Sequence, residues 1–229
     1  MPLLLERSLR LGALLAALAP VPALAAGTAV VTDHSSGAGD TMTLAWLDDG
    51  SLRINADADN PDNYMLIQGD KVYAVSFEAG APLVMEVGGM LKALGGLAQD
   101  GQGVDQPLPA RIASVEPTGK TETVAGIEGR VYQITAADQD GAQKTVEAVL
   151  TNDARAAEMT RVFVTGLLSV FEQGRADDIL TALPADGKGM LRYGNDYALA
   201  SISDRAPAAD QFKLPAPPMD LASMLKGMQ

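Results

Sequence analysis

The sequence contains no cysteine and one histidine. The first absence excludes disulfides, thiolate metal sites, iron–sulfur clusters, thiol catalysis and cysteine-linked lipid anchors. The second excludes metal centres built from several imidazoles. Aromatic residues make up 4% of the chain, with a single Trp, which leaves little for carbohydrate stacking. Positive charge is scarce: 17 Lys+Arg stand against 29 Asp+Glu, for a formal charge of −12. Nucleic-acid binding needs a basic footprint, and none is present. What remains is a chain of 229 residues that is 47% hydrophobic, mostly aliphatic. That is enough to bury a hydrophobic core without cross-links.

Residues 1–25 read as a secretory leader. Arg7 and Arg10 supply its basic start, and Leu11 to Ala19 an apolar run. Pro20 and Pro22 break that run before Ala23-Leu24-Ala25, a small-x-small cleavage signal. A membrane span needs about 20 apolar residues, and this run is too short. The remainder is expected to be periplasmic or secreted, with no transmembrane span.

Beyond the leader, periodicity alternates between two and 3.6. Met42, Leu44 and Trp46 alternate with polar or small residues, as do Leu52 and Ile54, around Asp48-Asp49-Gly50. This predicts a hairpin over 41–55. A second hairpin is expected over 64–77, and a short strand over 83–86. Val87 to Ala98 changes to helical spacing, but Gly88, Gly89, Gly95 and Gly96 weaken it. Packing on a sheet and a movable flap are both compatible with that pattern. Strands follow at 121–124, 129–135 and 144–150, with turns at 126–129 and 138–141. Asp153 to Gln173 carries the strongest helical stripe: Met159, Val162, Phe163, Leu167, Val170 and Phe171. A short helix over 177–183 and a hairpin over 190–202 complete the pattern. Phe212 and Leu214 read as a short extended piece. Pro215 to Pro218 reads as a stiff spacer before an amphipathic helix carrying Leu221, Met224, Leu225 and Met228.

Motifs for chemistry fail on spacing. Asn55, Asp57, Asp59 and Asn60 resemble the opening of a calcium loop, but its twelfth position would be Leu66, where a bidentate Glu is required. His34, Ser35 and Ser36 are consecutive and lack the geometry of nucleophile and base. No G-x-S-x-G, phosphate loop or dinucleotide fingerprint occurs. The methionines of the tail interleave with leucines at helical spacing and read as packing residues, not copper ligands. No catalytic residue, metal ligand or cofactor is therefore assigned.

Thr123-Val124-Ala125-Gly126 followed by Tyr132-Gln133-Ile134 resembles a hairpin of a domain-of-unknown-function family of secreted bacterial proteins. Phe212-Lys213-Leu214-Pro215 resembles that family's closing element, and Asp70 to Tyr73 with Val84 to Glu86 its earlier paired strands. The family's Lys/Cys-rich stretch is absent; Ile127-Glu128-Gly129-Arg130 stands there. The architecture implied resembles the periplasmic lipoprotein-carrier fold, and the resemblance supplies no catalytic residues.

The resulting expectation is α+β: a single strongly curved, half-barrel-like antiparallel sheet with two or three helices on its concave side. Residues 26–214 would form this domain, and 215–229 a spacer with its terminal helix. The expected function is non-enzymatic binding of an apolar, lipid-like ligand or a lipoprotein in the envelope. Met90, Leu91, Leu94, Phe163, Leu167 and Phe171 are the candidate ligand-binding residues. An envelope interaction module and a carboxylate-based hydrolase are the alternatives. The sequence leaves oligomeric state open.

Overall fold

A computed structural model describes residues 26–34, 39–57, 60–88, 111–137, 142–171 and 175–220. The leader, most of the Gly-rich Val87–Ala98 segment, the loop over 100–109 and the terminal helix lie outside the described residues.

Strand formation follows the alternating pattern. β1 (Gly27–Asp33), β2 (Asp40–Trp46), β3 (Leu52–Asn55), β4 (Tyr64–Gln68), β5 (Lys71–Glu78) and β6 (Ala81–Glu86) form an antiparallel meander. The β5–β6 turn places Ala79 and Gly80 at positive φ, the twist that a two-residue hairpin needs. β7 (Arg111–Val124), β8 (Ile127–Ala137) and β9 (Gln143–Thr151) form a second meander. Its first turn is Ala125-Gly126, again at positive φ, and not the expected 126–129. The strand-forming residues therefore resume at Ile127, two positions earlier than the sequence pattern suggests.

Two helices follow. Asp153 caps α1 (Ala154–Phe171): its Oδ1 accepts from the backbone N–H of Arg155 at 3.0 Å and of Ala156 at 3.2 Å. α2 (Arg175–Ala182) packs on α1 and on β7. Then come β10 (Gly189–Tyr193) and β11 (Tyr197–Ser203). The chain ends in a 3₁₀ turn at Ala209–Phe212 and in β12 (Met219–Asp220).

Among the described residues, all twelve strands belong to one sheet, ordered β12-β6-β5-β4-β3-β2-β1-β11-β10-β9-β8-β7. Every pairing is antiparallel except the two-residue contact of β12 with β6. The sheet is open, with β12 and β7 at its edges. β1 joins the two meanders, since its other neighbour is β11 from late in the chain. The observed fold is thus a single, mostly antiparallel sheet carrying two described helices.

The two faces of β2–β6 bury different sets. Leu66 and Ile67 are adjacent and point oppositely, as strand geometry requires. Ile67 joins Leu44, Trp46, Leu52, Val72, Met159 and Val162 on the α1 side. Leu66 joins Tyr73, Val75, Val84 and Phe212 on the other side. Phe212 therefore lies in a 3₁₀ turn docked on the sheet, not in the expected short extended piece. Leu214 and Ala216 pack beside it, so the Pro-rich stretch follows the sheet as a strap. Gln68 Nε2 donates to the Phe212 carbonyl at 2.9 Å, and Arg53 Nη1 to the Gln211 carbonyl at 3.0 Å.

Candidate functional site

Two close approaches hold α1 on the sheet. A Cβ at Gly189 would lie 2.7 Å from backbone atoms of Ala156 and Ala157. A Cβ at Gly166 would lie 3.1 Å from Leu52 Cδ2. These contacts are ten residues apart, about 15 Å along the helix axis. The stripe Thr160, Phe163, Val164 and Leu167 faces a cavity of about 450 Å³. Opposite it stand Val31 and Met42 from β1 and β2, Ile112 and Ile134 from β7 and β8, and Leu199 from β11.

The lining is aliphatic apart from one end. Thr160 is committed: its Oγ1 accepts the backbone N–H of Met190 at 2.8 Å. At the β10–β11 turn, Asp33, Tyr193 and Tyr197 line the cavity together with Arg192. The Arg192 guanidinium donates Nε and Nη2 to Glu122 at 2.9 and 2.8 Å, and Nη1 to the Gly194 carbonyl at 2.6 Å. The hydrogen bond to Arg192 holds the Glu122 carboxyl below its usual range, and the same bond raises Arg192. Burial raises the Tyr193 phenol, with the negative charge of Asp196 adding to it. Among the described residues, no buried side-chain nitrogen or oxygen lacks a partner. The cavity interior therefore asks nothing polar of an occupant.

Phe163 and Leu167, two of the candidate ligand-binding residues, line this cavity. Met90, Leu91 and Leu94 lie outside the described residues, as does the Phe171 side chain. Sequence reading missed Met42, Ile112, Tyr193 and Tyr197. The signal for the tyrosines was present: they flank Gly194-Asn195-Asp196 symmetrically, which places them directly opposite in a hairpin. The others became visible only with the strand order.

The remaining candidates have other roles. Asn55 Nδ2 donates to the carbonyls of Pro61 and Asn63, closing the acidic loop on itself. The His34 backbone N–H donates to the Asp196 carbonyl at 2.6 Å. Among the described residues, no three His, Asp or Glu side chains group as a metal ion would require. No described helix is long and apolar enough to cross a membrane. A second recess of about 370 Å³ lies beside Arg53, between β1, β2 and the strap. Arg53 sits 3.6 Å over the Tyr64 ring and is engaged with Asn55, Pro61 and Gln211, so it acts as a clasp. Burial raises the Tyr64 phenol, and Arg53 partly opposes that rise.

Fold and site together describe an open, mostly antiparallel sheet with an apolar cavity beneath its helices. No family model matches the chain, and no curated protein and no solved structure matches it.

Proposed function

We propose that the protein is a non-enzymatic, extracytoplasmic binding protein for an apolar, lipid-like ligand held in the cavity under α1. The observation that carries this reading is the cavity itself: about 450 Å³, walled by aliphatic side chains and Phe163, and rimmed by a few polar groups. Small-molecule sites share that size and that division of chemistry. Each methylene transferred from water to such a lining contributes about 0.8 kcal/mol, so an alkyl chain of moderate length offsets the entropy lost on association.

Strong curvature of the sheet belongs to the same reading. In a flat sheet, strands four places apart would lie about 19 Å from each other. Here β7 approaches β11 closely, and Arg192 of β10 reaches Glu122 of β7. A half-barrel with helices in its hollow accounts for both, and leaves the cavity where helix and sheet diverge. The leader pattern read from residues 1–25 supports the periplasm or medium as the place of this activity.

A carboxylate-based hydrolase would need two acids facing one cleft. Among the described residues, the cavity lining includes one, Asp33. Glu122, Asp153 and Asp210 are all held below the usual carboxylate range by Arg or Lys partners, opposite to what a general acid needs.

The test is native mass spectrometry of the purified protein, paired with titration of a fluorescent fatty-acid analogue. The expected result is a single bound lipid and saturable binding at one site. A bare protein that gives no saturable signal overturns the reading.

A further inference from the structure

Resting on that reading, we propose that α1 is a ruler: the cavity takes one unbranched alkyl chain of about eleven carbons and gains nothing from a longer one. The argument starts from where the helix is packed and where it is not. Met159, Thr160, Phe163, Val164, Leu167 and Leu168 form its side of the cavity. At the two ends of this wall Met159, Thr160 and Leu168 are buried, whereas Phe163, Val164 and Leu167 between them are half-buried. Thr160 ties its end to β10 by accepting the Met190 N–H. Near the other end, the close approach of Gly166 to Leu52 seats the helix on β3. The hollow is therefore stopped at both ends of the wall and open along its middle.

Two dimensions then define the occupant. Met159 and Leu168 are nine residues apart on α1, which spans about 13.5 Å of helix axis. An extended alkyl chain advances about 1.25 Å per carbon, the projection of its carbon–carbon bonds, so the wall matches about eleven carbons. Volume sets the number of chains. A methylene takes up much the same volume as a liquid water, ~30 Å³. The hollow of about 450 Å³ therefore has room for about fifteen such groups, where two chains of this length would need about twenty-two. Forcing in a second chain would overpack the site. A single chain longer than the wall leaves its surplus carbons in water, where they bury no surface and contribute no affinity.

The experiment measures displacement of a bound fluorescent fatty-acid analogue by a series of saturated carboxylates, octanoate to hexadecanoate, each below its micellar concentration. The head is constant, so length alone varies. Up to about eleven carbons, each added methylene should tighten binding about fourfold. From dodecanoate to hexadecanoate, affinity should stay within about threefold. Native mass spectrometry at saturating dodecanoate should show one chain per protein. Met159→Ala and Leu168→Ala each remove a stop, and in at least one of them the break should move up by about two carbons. Phe163→Leu, in the middle of the wall, should leave the break where it is. Affinity that climbs through hexadecanoate, two chains per protein, or a break unmoved in both truncated variants would overturn the ruler and leave apolar binding standing. If a truncated variant does not fold, the series in the unaltered protein decides alone. If the analogue does not bind, or no chain displaces it, both the inference and the reading beneath it fall.

Discussion

Beneath the C-terminal strap, Leu66, Tyr73, Val75, Val84 and Phe212 bury one another, with Leu66 at 0% and Phe212 at 4% exposure. Beneath α1, Phe163, Val164 and Leu167 are only half-buried and border about 450 Å³ of open volume. Both regions cover an apolar sheet face, yet one is filled and the other is not. The strap is thin and follows the sheet, so a single ring plugs the space under it. α1 is a rigid rod of 18 residues, pressed down at Gly189 and again where Gly166 meets Leu52. A straight rod over a twisted sheet touches it at separated points. Between those points the side chains bridge a gap.

The sharpest way to break this comparison is to truncate one phenylalanine on each side. Phe212→Ala should lose about 4 kcal/mol of stability in urea unfolding, as expected for a ring removed from a filled core. Phe163→Ala should lose about 1 kcal/mol, because its ring already faces open volume. Equal losses would mean that the α1 side is as well packed as the strap side. Next in size is Gly189→Ala. Its Cβ would collide with helix backbone and not with a movable side-chain tip, so about 2–3 kcal/mol should be lost. A neutral result would show that α1 is not seated at this point.

The smallest effect concerns acid. Glu122 and Asp153 are both held low by arginines, Arg192 and Arg155. A depressed folded value means that the stabilisation is complete above the unfolded carboxylate value, about pH 4, and is lost as pH falls through the folded value. Unfolding midpoints should therefore drop below pH 4, and less steeply in Glu122→Gln than in the unaltered protein. Parallel slopes would remove the pair from the account of how β7 is tied to β10.

Local pattern carried most of the elements. The turn at Asp48-Asp49-Gly50, the alternation around Trp46 and the stripe from Met159 to Leu167 each depend on neighbours in sequence. The first half of β7 did not show itself: Arg111 to Lys120, which includes Pro117 and Gly119, carries no strand expectation from the sequence. It is an edge strand whose register shifts between Ile112 and Ser114 and again between Pro117 and Thr121, where Pro is tolerated. The seating of Phe212 was hidden because a strap has no period of its own. The cavity was half legible. Phe163 and Leu167 stand out on the helix, but Val31, Met42 and Leu199 become its far wall only once β1 pairs with β11. That pairing joins residues about 170 positions apart, and no local pattern encodes it.

Calorimetric titration of an alkyl ligand into the protein and into Leu167→Trp tests the central claim most directly, since the larger ring would fill the cavity from α1. The account predicts one site per chain in the unaltered protein, and loss of binding in a variant that melts no lower. Undiminished binding by the filled variant would contradict it.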